Sequence, residues 1–371
     1  MRIAILTLPL HTNYGGILQA YALQTVLERM GHQVIVFNHK RKYSLPLWRL
    51  PLSYSKRIIK KYILGRKKIR VFAEQHLKKE YPIISQHTQR FIDTYIHIYN
   101  VESFKNLNAA DFDAIVVGSD QVWRPKYFIS LFNSKIENAF LSFACKWNIK
   151  RISYAASFGT EEWEYTSEKT NLCKELLKLF DVVSVREESG VRLCKDKLGV
   201  DALHVLDPTM LLSKEDYIKL FDVANTPKSS GNLLTYILDS TPEKIDVINK
   251  ISKEKKLVPF KVNSKIENKD DPIEERIQPS VEKWLRGFYD AELVITDSFH
   301  ACVFSIIFGK PFVVIGNKER GMARFDSLLK MFGLEDCLIS SDKDYKIKNC
   351  DYTKLRGYQD YSLKLLSQEL C

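Results

Sequence analysis

Short apolar runs that each end in a cluster of glycine and polar residues recur along this chain, and that repetition restricts the fold more than any other feature. The clusters are Asn13-Tyr14-Gly15-Gly16, Gly118-Ser119-Asp120-Gln121-Val122-Trp123, Ser157-Phe158-Gly159, Arg186-Glu187-Glu188, Asp207-Pro208 and Asp297-Ser298-Phe299-His300. Such runs read as buried parallel strands, and the 3.6-residue spacing of apolar residues between them reads as helices. The alternation predicts strands over 3–8, 33–38, 114–117, 152–155, 182–185 and 203–206, with a helix over 17–30 closed by Gly31. After the polar break 225–231 it restarts with strands over 233–238, 258–262, 293–296 and 312–315 and a helix over 242–254. Ser280 is the expected N-cap of a further helix, and 351–370 reads as a terminal one.

A chain of 371 residues is too long for one ordinary core. The expected architecture is therefore α/β, with two Rossmann-like parallel-sheet domains over 1–212 and 228–350 and a segment 351–371 that crosses back to the first. In open sheets of this kind, ligands sit beyond the carboxyl ends of the strands, where helix N-termini offer N–H groups to anions. All the polar clusters stand at such ends, so they are expected to line one cleft.

The net charge of +11 is concentrated. Residues 40–80 hold fourteen Lys and Arg against two acids, Glu74 and Glu80, so the rest of the chain is close to neutral. Ile58, Ile59, Tyr62, Ile63 and Leu64 recur among Lys56, Arg57, Lys60, Lys61, Arg66, Lys67 and Lys68. A helix lying on an anionic bilayer has this composition; a solvated helix packing its stripe on the domain has it too. Nucleic acid is the weakest reading, because no known recognition motif surrounds the run. No stretch of about 18 apolar residues is present, and the chain opens on a strand, so a cytoplasmic protein, peripheral at most on the membrane's inner face, is expected. The seven cysteines show no C-x-x-C and no metal-like spacing to histidine, so neither a metal nor a disulfide framework is expected.

Individual clusters point to chemistry. His300 stands on the first turn of an apolar helix beside Asp297 and Ser298, where an imidazole can act as a general acid. Gly15-Gly16 opens a helix and allows close backbone approach to a sugar or phosphate, or serves only as a tight helix entry; Gln19 lies one turn further in. Asp120 with Trp123 can grip a sugar through carboxylate and ring face, although Trp123 can equally anchor a loop. Arg186 at a strand end needs a carboxylate or phosphate for its fork, and a neighbouring glutamate would satisfy it. Lys318, Arg320 and Arg324 follow the strand 312–315 and add further cations.

Taken in order, Asn-Tyr-Gly-Gly-Ile-Leu-Gln from 13, Gly-Ser-Asp-Gln-Val-Trp from 118, Ala-Ala-Ser-Phe-Gly from 155, Val-Arg-Glu-Glu-Ser-Gly from 185, Leu-Asp-Pro-Thr-Met-Leu-Leu from 206 and Thr-Asp-Ser-Phe-His from 296 resemble the polysaccharide pyruvyl transferase family. The resemblance runs to about residue 325. It implies a fold similar to the GT-B glycosyltransferases, with the site between the halves. It also implies transfer of the pyruvyl group of phosphoenolpyruvate onto two sugar hydroxyls as a ketal, with phosphoenolpyruvate as co-substrate and no cofactor. The family's arginine falls on Arg186 and its histidine on His300.

On this reading the first domain takes the acceptor, a sugar on a lipid-linked oligosaccharide, at Asn13, Tyr14, Gly15, Gly16, Gln19, Asp120 and Trp123. The second takes the donor at Ser298 and His300, joined by Arg186 and Ser157. Asp297 is expected to orient His300, and Asp120 to act as base on the acceptor. Many members carry Arg-Leu-His where this chain has Ser298-Phe299-His300; Lys318, Arg320 or Arg324 is the expected replacement for the missing arginine. A GT-B glycosyltransferase using a nucleotide-sugar is the alternative.

Overall fold

A computed structural model of the chain describes residues 1–40, 49–66, 69–266, 268, 270–316, 322–339, 347 and 352–370. The first sheet contains β1 (Arg2–Leu6), β2 (Gln33–Asn38), β3 (Ile98–Asn100), β4 (Ala114–Val117), β5 (Lys150–Ala156), β6 (Val182–Val185) and β7 (Leu203–His204). Their spatial order is β3-β2-β1-β4-β5-β6-β7. The second contains β8 (Leu233–Tyr236), β9 (Pro259–Phe260), β10 (Leu293–Thr296), β11 (Phe312–Ile315) and β12 (Leu338–Ile339), ordered β12-β11-β10-β8-β9. Every pairing is parallel. The central strands β4 and β10 are buried throughout, as strands covered on both faces must be. This is the α/β architecture of two Rossmann-like sheets that the alternation predicts.

In each sheet the strand order reverses at one place. Ile3 of β1 pairs with Val34 of β2 on one side and Ala114 of β4 on the other. Leu233 of β8 likewise lies between Pro259 of β9 and Leu293 of β10. Chain leaving neighbouring strands at such a switch point diverges and opens a crevice. The loops after β1, β4, β8 and β10 are those that meet in this molecule.

Several elements differ from expectation at their ends. The first helix begins at Tyr14, so Gly15 and Gly16 form its first turn rather than a loop before it; Asn13 caps it in extended conformation and its carbonyl accepts from Ile17 N at 3.0 Å. β7 and β9 keep only two residues each. Both are edge strands with a single neighbour, which leaves their far ends without ladder partners.

An aromatic layer joins the two sheets. Tyr14 stacks on Trp284 with centroids 5.3 Å apart, and its hydroxyl donates to Pro279 O at 2.7 Å. The helix Phe299–Phe308 is buried on every side, and its Phe304 meets Tyr217 and Trp284 edge-on, each at 4.9 Å. The helix Tyr352–Leu370 lies against the first domain, where Gln359 donates to Met210 O and Leu206 N donates to Ser362 Oγ.

Residues 41–48, 67 and 68 of the basic segment lie outside the described residues. The rest leaves the carboxyl end of β2 and forms a helix Leu50–Ile58, a π-helical turn Ile59–Ile63 and a helix Ala73–Ile84.

Candidate active site

A cleft of about 390 Å³ lies between the carboxyl edges of the two sheets. Its first-domain wall comes from 8–13, Gly15, Gly16 and Asp120; its second-domain wall includes Asn263, Gln278, Ser298, His300 and Arg324.

His300 is a point of close contact between the halves. A β-carbon added to Gly15 would sit 2.0 Å from His300 Nδ1, far inside contact distance, so only glycine at 15 leaves room for this imidazole. Its Nε2 lies 3.6 Å from Asp207 Oδ2. That is beyond hydrogen-bond length for a neutral ring and within ion-pair range for a protonated one.

Asp207 and Asp120 share one buried arginine. Arg186 Nη1 donates to Asp207 Oδ2 at 2.7 Å, and Nη2 reaches Asp120 Oδ1 at 3.3 Å. Thr209 adds its backbone N–H and hydroxyl to Asp207 Oδ1, at 3.0 and 2.6 Å. Burial alone would raise the Asp207 carboxyl, but the His300 contact, the charge of Arg186 and the Thr209 hydroxyl hold it well below the usual carboxylate range. Asp120 behaves alike: burial opposes ionisation, while Arg186, His300 and Arg324 keep its carboxyl below the ordinary value.

Arg186 and Arg324 both approach the Phe299 ring, at 4.8 and 5.5 Å from its centroid. Burial, together with repulsion from Arg186, pushes Arg324 down to about 10. It remains charged at neutral pH, as a cation in the cleft wall.

A sequence profile of the polysaccharide pyruvyl transferase family matches residues 13–319. The chain belongs to this family. No curated protein sequence matches it. Among solved structures it is similar to a UDP-GlcNAc 2-epimerase from Neisseria meningitidis bound to UDP-GlcNAc, at 10% identity and TM-score 0.48 over 100% of this chain and 99% of that one. A putative UDP-N-acetylglucosamine 2-epimerase from Listeria monocytogenes gives 10% identity and TM-score 0.45, covering 99% and 90%. An E. coli heptosyltransferase with ADP gives 12% identity and TM-score 0.34, covering 86% and 92%.

Within the family's motifs, the structure sorts lining residues from framework. Asn13, Gly15, Gly16, Asp120, Asp297, Ser298 and His300 line the cleft, and so does Arg324, which lies beyond the motifs. Of the cations considered as replacements for the family's arginine, Arg324 lines the cleft; Lys318 and Arg320 lie outside the described residues.

Five motif residues are engaged by the framework rather than in the roles expected of them. Trp123 is fully buried, stacked on Phe140 at 5.1 Å with Nε1 donating to Ala139 O, so it anchors the loop and offers no face to a sugar. Gln19 is buried too: its Nε2 donates to Thr7 Oγ1 and Gly16 O, and its Oε1 accepts from Ser119 N, which ties the loops after β1 and β4 together. Tyr14 spends its hydroxyl on Pro279. Ser157 donates to Glu187 Oε1, which also accepts from Phe158 N and Gly159 N; the two motifs brace each other behind the cleft. Asp297 does not orient His300: its carboxylate accepts from Leu238 N, Asp239 N and Lys244 Nζ and fixes the loop after β8.

Two assignments change in kind. Arg186 binds two aspartates rather than Glu187 or Glu188, and is buried beneath the cleft wall. Asp120, held ionised by that arginine, is a weak proton acceptor for a sugar hydroxyl. The carboxylate facing His300 is Asp207, which sequence reading placed at a polar corner without a role. Its signal was there: an acid just past a strand, followed by Pro208 and Thr209. Gln278 was missed as well; its N–H donates to Ile84 O and its amide to Thr12 O, so it joins the cleft wall to the end of the basic insertion. Among the described residues no group of three or more His, Cys, Asp and Glu is placed to hold a metal.

Proposed function

We propose that the chain moves the pyruvyl group of phosphoenolpyruvate onto two hydroxyls of a sugar in a lipid-linked polysaccharide precursor, forming a cyclic ketal and releasing phosphate. The observation that carries this reading is His300 set between a glycine seat in one domain and the Asp207 carboxylate. The Asp207 carboxylate, which Arg186 and Thr209 hold ionised, faces Nε2 of the imidazole at 3.6 Å. Delivered to carbon 3 of the enol, a proton from the imidazole makes carbon 2 electrophilic. One sugar hydroxyl adds there, phosphate leaves, and a second hydroxyl closes the ketal. Of the two hydroxyl protons released, one replaces that given up by His300 and the other departs with phosphate. Nε2 is turned to Asp207 and Nδ1 lies beside Gly15. Arg324 supplies positive charge for the donor's phosphate or carboxylate.

The direct test is incubation of the full chain with phosphoenolpyruvate and a lipid-linked glycan, reading phosphate release and the mass gain of one pyruvyl ketal. His300→Ala is expected to lose about 100- to 10,000-fold in rate while staying folded. Binding of a nucleoside diphosphate in the cleft with no turnover of phosphoenolpyruvate would overturn the reading.

A further inference from the structure

The segment Leu50–Leu64 shows large apolar side chains that the fold does not use. Leu52, Tyr62, Ile63 and Leu64 are 70, 71, 76 and 61% exposed, and Ile58 and Ile59 are about half exposed. A stripe packed on the domain would have buried them. Contiguous exposed apolar surface of this kind marks an interaction site.

Cations surround these side chains. Lys56 and Arg66 are exposed and Lys60 and Lys61 partly so, and no carboxylate among the described residues pairs with any of them. The two acids of the insertion are occupied elsewhere. Glu74 takes Arg57 through two bonds of 2.6 and 2.7 Å, and Glu80 takes Arg70 at 2.6 Å and Arg276 of the second domain at 2.8 Å. The first two pairs brace the insertion internally and Glu80–Arg276 ties its base to the second domain, so neither acid is left to offset the cations of Leu50–Leu64.

Its placement is also defined. The insertion starts past β2, whose Asn38 Oδ1 accepts from Leu10 N in the cleft wall, and ends at Ile84, whose carbonyl accepts from Gln278 N in the opposite wall. Both roots therefore sit on the rim of the cleft.

We infer that Leu50–Leu64 is a docking face for an anionic lipid bilayer, with the aliphatic side chains and Tyr62 seated among the headgroups and the lysines paired with lipid phosphates. A second copy of this chain does not fit, since it would set one cationic face against another. Nucleic acid would engage the cations and leave the aliphatic side chains in water. The inference deepens the proposed reading by bringing the cleft to an acceptor held at the membrane, but its first test does not depend on catalysis.

That test is sedimentation of the full chain, without substrates, with vesicles of phosphatidylcholine alone and of equal parts phosphatidylcholine and phosphatidylglycerol. Binding is expected to the second only, and to fall as salt rises. Each cation near such a surface strengthens binding about fivefold, so Lys56→Glu, Lys60→Glu and Lys61→Glu together should weaken it at least about a hundredfold. Leu52→Ser, Tyr62→Ser and Ile63→Ser together should also release the chain with its charge intact. Equal sedimentation with both vesicles, or unchanged binding in the serine variant, would overturn the inference; the second outcome would point to a plain polyanion such as nucleic acid. If vesicle binding holds, charge reversal should lower pyruvylation of a lipid-linked glycan in vesicles and spare a short soluble analogue. Equal loss on both would mean that the segment shapes the cleft, and would also overturn docking as its purpose.

Discussion

The cleft floor and the basic insertion are opposite solutions to holding charge. Around Arg186, buried charges meet buried partners, and the ring of His300 fills the space that Gly15 leaves. In the insertion, cations and aliphatic side chains stand side by side in solvent, and Glu80 ties the base to Arg276. A buried ion pair keeps its geometry because breaking it strands a charge; an exposed one gains little and is easily exchanged for another partner. The first region is thus finished by folding, whereas the second keeps its apolar side chains in solvent.

The contrast is tested most severely at the domain contact. Gly15→Ala should cost nearly as much activity as His300→Ala, about 100- to 10,000-fold, because the added methyl takes the imidazole's place. Near-normal phosphate release from Gly15→Ala would show that the contact yields and the floor is not rigid. Next come two stability effects. Arg186→Ala strands Asp120 and Asp207 and is expected to lower the unfolding free energy by about 3–5 kcal/mol. Trp123→Ala should cost a similar amount, about 3–5 kcal/mol, by emptying its site against Phe140. For Trp123→Phe, denaturant titration should show lost stability while KM for the acceptor stays unchanged; a raised KM would restore Trp123 to the sugar site.

A pH experiment sharpens the same point. The folded Asp207 carboxyl titrates well below the value of about 3.9 for an unfolded aspartate. Its contribution to stability is therefore complete above that value and is lost as pH falls below it. Asp207→Asn should be less stable at neutral pH and should lose less on acidification, read as melting temperature against pH. The smallest effect belongs to the insertion: the triple serine variant at Leu52, Tyr62 and Ile63 should change unfolding free energy by no more than about 0.5 kcal/mol. A larger loss would mean that these side chains pack on the body, and the comparison would fail.

Much of the frame was legible from local pattern. β4, β6, β10 and β11 have the ends that their aliphatic runs predicted, because a strand buried on both faces cannot extend into polar residues. The polar clusters do gather at one edge, and His300 does reach the cleft. What sequence could not give was direction. Trp123 and Ser157 stand just past strand ends and Gln19 within the first helix, as expected, but whether a side chain there faces ligand or protein depends on its neighbours in space, such as Phe140, Ser119 and Glu187. Asp297 adjoins His300 in sequence and serves another loop, while Asp207, ninety-three positions away by number, faces the imidazole. Pairing across domains is set by how two sheets meet, and no local spacing records it.

The joint at His300 ties timing to geometry. The imidazole belongs to the second domain, while Gly15 and Asp207 belong to the first. Any rotation that parts the sheets withdraws the acid from its carboxylate and its seat at once. Under the proposed reaction, an open cleft flooded with water would then be a disarmed one, and an enol held in it would be spared premature protonation. Such a joint would work as a safety catch: the proposed acid is in its seat only while the two halves are together.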